Sequence, residues 1–494
     1  MKKLTPVGKR ASSLKHLVLV LASLFIATAA TAHAKSIFDA AHPQVCGHVL
    51  KESDPSHDFG LPNPAYNFMT AVDESKSYRL ADEPVLDQKQ YGCCWLTSEL
   101  GRVCRLCLGA GKNIRPVDTY SAAISIGERA AREPLLRGLI DQGGNAPYAI
   151  DLLNRYGFFP EGALVETAEG LKPWAPIVDF QKGKNGDRLI ETINMKLVNY
   201  YAKTNDAYLE LEKAVNAAPK DKKGMTTFDE GAYFKANPEK LKIFNDSLTE
   251  YQAVVTKTLE ATLGDIPESF VYEGKTWNAV DFYKANVPPE TMDMTLVMPK
   301  RVGVKLPSVS QAKKVYPPSS GADYENNLWN NLGGFEKDQD WSTVDAAIET
   351  SLRKGLPVRF SVMIKDSLID MDRGLISINA FAQYPEFIEE VQRMNAAIPD
   401  FVDGGHAILI TGIYRNKAGE TLGYRIQNSW GAISEKTGKS VGDHGYFIMD
   451  TPYMQTFSPN FFFDKGIYPA SAPAKSAAKK AAKTPRVPKT TSSR

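Results

Sequence analysis

Cysteine and histidine are scarce in this chain of 494 residues, five and seven respectively, and their spacing excludes whole classes of chemistry. Only Cys104 and Cys107 stand at the short interval of a zinc ligand pair, with no histidine cluster beside them, so no structural metal is expected. The sequence also lacks internal repeats and any dinucleotide-binding glycine pattern, and neither a metal nor an organic cofactor is expected. No apolar run approaches the roughly 20 residues of a membrane span. The longest, from Leu17 to Ala30, falls short of it. Acids are missing from both ends: five of the 59 basic residues precede residue 35 and seven follow residue 468, with no Asp or Glu in either stretch. The net charge of +2 therefore conceals an acidic body between basic ends.

The two ends read as segments apart from the fold. Lys2, Lys3, Lys9, Arg10 and Lys15 precede the Leu17–Ala30 run, and Ala32-His33-Ala34 follows it, the layout of a bacterial-type secretory signal over residues 1–34, cleaved after Ala34. No cysteine stands at the cleavage point, which argues against a lipoprotein. The expected location is periplasmic or extracellular, where disulfides are permitted. The pairing of Cys46, Cys93, Cys104 and Cys107 stays open. Residues 469–494 are mostly Ala, Pro, Ser, Thr and Lys, with two Arg and almost no apolar bulk, read as a disordered basic tail able to contact anionic surfaces. No specific nucleic acid partner is expected. The body, in a chain that is 43% hydrophobic, is large enough for two or three compact cores.

The chemistry begins at Gln88-Lys89-Gln90-Tyr91-Gly92-Cys93-Cys94-Trp95. After Cys94, Leu96, Leu100, Val103 and Cys107 recur at intervals of 4, 3 and 4, so a helix starts at or just beyond the cysteine and buries one stripe. A thiol at that end meets unpaired backbone N–H groups and the positive pole of the helix, which favour the nucleophilic thiolate. Far downstream, Gly404-Gly405-His406-Ala407-Ile408-Leu409-Ile410 and Tyr424-Arg425-Ile426-Gln427-Asn428-Ser429-Trp430-Gly431 read as strands, with Asn416-Lys417-Ala418-Gly419 as turn chemistry between them. An antiparallel hairpin folded about Lys417 sets His406 opposite Asn428, whose amide oxygen can hold the ring N–H and so fix the tautomer.

Gln-x5-Cys-Trp, Gly-His-Ala and Asn-Ser-Trp-Gly, in that order, resemble a papain-like cysteine peptidase. Asp141-Gln142-Gly143-Gly144, Asn154 to Pro160, Leu259 to Phe270 and Asp281-Phe282-Tyr283 resemble its bleomycin hydrolase and aminopeptidase C branch, and the likeness covers roughly residues 75 to 460. The resemblance implies Cys94 as nucleophile, with Cys93 as its adjacent competitor, His406 as general base and acid, and Asn428 as orienter. It implies the Gln88 side chain and the Cys94 N–H as oxyanion donors, Gly143 and Gly144 as the substrate-binding cleft wall, and Trp430 as a cover over the His–Asn bond. Cys93 stands where the family often carries Arg, and relatives in this branch are usually cytosolic, so both the second cysteine and the export signal depart from its pattern.

The 312 residues from Cys94 to His406 far exceed the roughly 130–150 usual in papain-type enzymes, so a large insertion is expected. Within it Leu248, Tyr251, Val255, Leu259 and Leu263 keep helical spacing, with Asp246 or Ser247 expected as cap, Gly264 as its end, and Lys220 to Lys223 as a solvated loop. The expected fold is α+β, a papain-like two-lobe cysteine peptidase with a large helical insertion. Residues 35–165 form the N-terminal helical lobe with the nucleophile helix, 166–320 the insertion, and 321–468 the C-terminal sheet lobe with His406 and Asn428. The expected substrate is a peptide or protein. Aminopeptidase action and a homo-oligomer, a hexamer, follow from the resemblance. In that branch the chain end receives the substrate's amine, and the lysine-rich extension after Tyr468 keeps endopeptidase action open. A non-catalytic secreted binding protein on the same scaffold is the competing class.

Overall fold

The computed structural model describes residues 59–88, 92–116, 121, 124–130, 139–140, 143–161, 163, 189–219, 228–263, 268–300, 334–398, 401–434 and 437–469. The leader at 1–34, Cys46, the 220–223 loop, Gly264 and the tail from 470 onward lie outside the described residues.

Nine helices are used below: α1 (Cys94–Gly109), α2 (Ala146–Tyr156), α3 (Leu189–Ala217), α4 (Glu230–Ala236), α5 (Pro238–Leu263), α6 (Ala279–Asn286), α7 (Trp341–Arg353), α8 (Phe387–Ala397) and α9 (Thr451–Phe457). The strands are β1 (Tyr78–Arg79), β2 (Phe270–Tyr272), β3 (Lys275–Trp277), β4 (Met294–Pro299), β5 (Gly334–Gln339), β6 (Val358–Ile364), β7 (Ile369–Asp370), β8 (Leu375–Ile376), β9 (Gly404–Arg415), β10 (Thr421–Gln427), β11 (Tyr446–Asp450) and β12 (Asn460–Asp464). The early helices α1, α2, α3, α5 and α6 share one core, and the later strands share another with α7, α8 and α9, which is the layered logic of an α+β fold.

The helical core gathers around α1. Its predicted stripe, Leu96, Leu100, Val103 and Cys107, is fully buried, against Tyr148 and Leu152 of α2, Phe282 and Tyr283 of α6, and the long pair α3 and α5. Asn145 caps α2 by accepting from the Tyr148 N–H at 2.9 Å, with Pro147 in the first turn, where a missing N–H costs nothing. Helix α3 contributes Ile193, Leu197, Tyr200 and Tyr201, and α5 contributes Tyr251, Val255 and Leu259. Thus part of the charged stretch expected as an insertion shares one apolar core with the helix that opens at Cys94.

Helix α5 begins at Pro238, so Asp246 and Ser247 lie inside it and cap nothing. Its first turns are largely solvent-facing, and Asp246 pairs with Lys242 one turn back. An apolar period marks only the buried part of a helix, which is why the pattern reads as starting near Leu248.

The second core lies on a sheet ordered β5-β4-β12-β6-β9-β10-β11-β8-β7, with β1 also paired to β9. Strands β4 with β5 and β11 with β8 run parallel, while the other pairs are antiparallel. Strand β4 falls at 294–299 and pairs with β12, so the sheet draws a strand from upstream of residue 320. Val344, Ile348 and Leu352 of α7 and Tyr453, Met454 and Phe457 of α9 complete this core. Ala146 and Ile150 of α2 meet Met294, Leu296 and Phe462 in a small apolar cluster that joins the helices to the sheet. Among the described residues no helix is long and apolar enough to cross a membrane.

The hairpin of β9 and β10 departs from the expected register. Gln427 pairs with Leu409 and Ile426 with Ile410, two residues away from the pairing that sets His406 opposite Asn428. The turn closes later, with the Asn416 N–H donating to the Glu420 carbonyl at 3.0 Å, and irregularities interrupt the ladder at 421/423 and 425/426. At the end of the ladder nearest His406 and Asn428 the displacement is two residues, an even number, so these two side chains keep a common face.

Candidate active site

Helix α1 begins at Cys94, with Cys93 as its N-cap residue and no side-chain cap on the first turn. The Leu96 and Thr97 N–H groups donate to the Cys93 carbonyl at 2.8 and 2.9 Å, which closes the turn over the cysteine pair. Both cysteines are fully buried, and Cys93 Sγ sits 3.3 Å from Thr97 Oγ1 on its own helix. Strand β9 approaches this end of the helix: Ala407 belongs to the same apolar cluster as Cys93, Cys94 and Trp95. The residue before it is His406.

His406 and Asn428 meet on one face across the diagonal of the hairpin, a distance side chains of this length reach. The ring Nε2 donates to Asn428 Oδ1 at 2.8 Å, and the Ser429 N–H donates to the same oxygen at 2.7 Å, which identifies that atom as the acceptor. With Nε2 carrying the proton, Nδ1 is the basic nitrogen. Trp430 stacks on the imidazole, with ring centres 5.1 Å apart and planes 19° apart, and presents its edge to Phe447. His406 is 5% exposed and Asn428 2%.

Gln88 reaches the same place by a separate route. Its N–H donates to the Ser429 carbonyl at 2.8 Å, Asp87 bridges to Trp430, and the Ser429 hydroxyl donates to Gln88 Oε1. The amide is thereby turned with its oxygen toward Ser429 and its NH2 away from it. This close docking explains Gly431 of the Asn-Ser-Trp-Gly motif: at φ 76°, a Cβ there would come 2.5 Å from the Asp87 carboxylate.

Gly143 and Gly144 lie against the first turn of α1. A Cβ on Gly144 would come 2.4 Å from the Trp95 ring, so glycine is required for that approach. Trp95 stacks on Tyr148 at 5.0 Å, and the Arg129 guanidinium lies 5.6 and 5.1 Å from the two rings while donating to the Gly143 carbonyl.

Ser429 and Arg129 were not legible as site residues from sequence, and neither was a buried group of charges behind the nucleophile helix. Glu99 and Arg102 of α1, Arg359 of β6 and Asp464 of β12 are all at most 2% exposed. A signal for it existed: Glu99 follows Leu96 by three and precedes Val103 by four, so a carboxylate sits on the buried stripe and must have a partner there. Another buried cation, Arg105, ties α1 to the sheet through Gln427 and the Tyr446 hydroxyl.

Cys104 and Cys107 are free thiols, and burial pushes them up to about 12 and about 11. Cys107 belongs to the helical core and lies 3.7 Å from the Asn286 carbonyl. Cys93 and Cys94 are likewise not in disulfides. Among the described residues no group of three or more His, Cys, Asp or Glu is placed to hold a metal ion.

The model of the Peptidase C1-like family matches residues 235–483, half of the chain, a span that includes His406 and Asn428 and begins beyond Cys94. The solved structure of PepW from Lactobacillus rhamnosis HN001 aligns with a TM-score of 0.54 at 17% identity, over 83% of this chain and 85% of that one. Xylellain, a cysteine protease from Xylella fastidiosa, aligns at 13% identity and a TM-score of 0.32, over 84% of this chain and 94% of that one. No curated protein sequence matches the chain. With half of its length matched by the family and its two lobes arranged as the fold requires, this chain belongs to the Peptidase C1-like family and is a papain-like cysteine-type peptidase.

Proposed function

We propose that the peptidase works through Cys94 as nucleophile, His406 as general base and acid, and Asn428 as the orienter of His406. The observation that carries this reading is the 2.8 Å bond from His406 Nε2 to Asn428 Oδ1, on a strand whose next residue belongs to the same apolar cluster as Cys94. His406 Nδ1 takes the thiol proton and the Cys94 sulfur attacks the peptide carbonyl carbon, forming a C–S bond as the carbonyl π electrons move to oxygen. The Gln88 side-chain amide and the Cys94 N–H stabilise that oxyanion. The imidazolium then protonates the departing amine, the C–N bond breaks, and a thioester remains. Water, deprotonated by His406, cleaves the thioester and restores the thiol.

In this reading Trp430 shields the His–Asn bond from water, and Gly143 and Gly144 bind substrate backbone at the cleft wall. The packing of Trp95 on Gly144 supports the second role, since it sets the wall beside the nucleophile. Placement in the bleomycin hydrolase and aminopeptidase C branch, and with it aminopeptidase action and a hexamer, rests on the motifs at 141–160 and 259–283. Export to the periplasm or medium rests on residues 1–34, and N-terminal sequencing of the mature protein is expected to begin at Lys35.

The deciding experiment compares a dipeptide amide bearing a free amine with its N-acetylated twin. Cleavage of the free form alone supports aminopeptidase action, and efficient cleavage of the blocked form assigns an endopeptidase. Cys94→Ala is expected to abolish both, and turnover surviving in that variant would refute the mechanism.

A further inference from the structure

The group of charges behind α1 is formally neutral. Glu99 lies 3.0 Å from Arg102 and 3.3 Å from Arg359, and Arg102 pairs with Asp464 while donating to the Thr291 carbonyl. Burying four ions costs several kcal/mol apiece before pairing, and well-packed apolar residues often do as well, so stability alone is a weak reason for this arrangement. The Arg359 Nε has no hydrogen-bond partner among the described residues, a further cost.

What Arg359 touches is more informative. One terminal nitrogen donates to the carbonyl of Trp95, the residue after the nucleophile, and the other reaches the carbonyl of Ala146 at 3.2 Å, two residues beyond Gly144. Its own strand β6 pairs with β9, setting Arg359 beside Leu409 and Val362 beside His406. One planar guanidinium therefore joins the first turn of the nucleophile helix, the start of the helix after the glycine pair, and the strand beside the histidine. Burial pushes Arg359 down to about 10, opposed by Glu99 and, behind the repulsion from Arg102, by Cys94, and it stays charged at neutral pH. Arg102 is also disfavoured by burial, but Asp464 and Glu99 hold it above its ordinary value.

We propose that Arg359 is a positioning residue for peptide hydrolysis, clamping the Cys94 turn to the Gly143–Gly144 wall and to the His406 strand, with Glu99 fixing the orientation of its fork. This rests on Cys94 and His406 being the reacting pair. The planar fork is what the role requires, because an ammonium cannot hold two diverging carbonyls in one plane with a carboxylate.

The test measures kcat, KM and thermal midpoint for Arg359→Lys, Arg359→Met and, as a stability control, Leu352→Ala in the core of α7, remote from the site. Arg359→Lys is expected to lower kcat about 10- to 100-fold, the scale of a small misplacement of reacting groups, with KM changed less than about 3-fold. Arg359→Met is expected to lose at least as much. Leu352→Ala, despite a comparable or larger drop in midpoint, is expected to keep kcat per folded molecule within about 2-fold. If neither Arg359 variant folds, Glu99→Gln replaces them and is expected to show the same loss confined to kcat. Unchanged kcat in Arg359→Lys, or in Glu99→Gln when it stands in, overturns the proposal, as does an equal kcat loss in Leu352→Ala. Cys94→Ala run alongside separates the two readings, since activity surviving there removes the catalytic assignment whatever Arg359 does.

Discussion

Replacing Asn428 with alanine isolates the contribution of ring orientation to turnover. The bond from His406 Nε2 to Asn428 Oδ1 is 2.8 Å long and shielded by the stacked Trp430. In the proposed mechanism His406 carries a positive charge during the reaction, so the lost interaction is one to a charged group, worth about 1.5–3 kcal/mol. Converted to rate, that is about 10- to 200-fold in kcat/KM. Folding is expected to suffer less. The Asn428 Nδ2 makes no hydrogen bond among the described residues, so truncation removes a buried donor that was already unpaired. The chief stability loss is the 2.7 Å bond from the Ser429 N–H, about 1–3 kcal/mol for a buried donor left unsatisfied. The assay is hydrolysis of a fluorogenic peptide amide under saturating and limiting substrate, alongside a urea melt. The loss should fall on kcat with KM nearly unchanged, because Asn428 orients the imidazole and binds no substrate. An Asn428→Ala enzyme within about 2-fold of wild type would show that Trp430 packing alone fixes the ring, and would refute the orienting role.

Labelling by a thiol-reactive peptide probe should vanish in Cys94→Ala and persist in Cys93→Ala, where the lost sulfur lies against Thr97; persistence without Cys94 would reverse the two. Gly144→Ala should destabilise the fold by about 1–3 kcal/mol, because the new methyl lies 2.4 Å from the Trp95 ring; an unchanged urea midpoint would show that Trp95 swings aside cheaply. Cys104 and Cys107 are raised by burial from the ordinary value of 9.0 to about 12 and about 11, so the fold favours their neutral forms. Stability from that difference is full below the ordinary thiol range and is lost as pH climbs through it toward 11 and 12. The double alanine variant should therefore lose less stability than wild type between about pH 8.5 and 10.5, and parallel curves would contradict the assignment.

Chemistry that depends on short-range pattern was legible in the sequence, and chemistry that depends on distant partners was not. The stripe from Leu96 to Cys107 announces the nucleophile helix because burial of one face imposes its period. The order of Cys94, His406 and Asn428 marks the candidate site, where the structure joins His406 to Asn428. The hairpin register slipped by two because the turn is centred on Ala418 and not on Lys417, while the two irregularities in the ladder cancel, and the diagonal contact kept both side chains on one face. Helix α5 reads late from sequence because its exposed start carries no apolar signal. Arg359 and Glu99 lie 260 positions apart, and Arg102 and Asp464 lie 362 apart, separations at which no local rule proposes a partner.

The docking of residues 87–88 along 429–430 has a consequence for how the catalyst is divided between lobes. Gln88 travels with the imidazole and carboxamide, while the sulfur six residues later opens a helix of the opposite lobe. In the proposed mechanism, any motion between the lobes would keep Gln88 with the imidazole and carboxamide and move the sulfur together with its own N–H and the helix it opens. A small haloacetamide, which develops no oxyanion, should then react at the same speed with or without the Gln88 amide, whereas an acyl substrate should feel its loss in full.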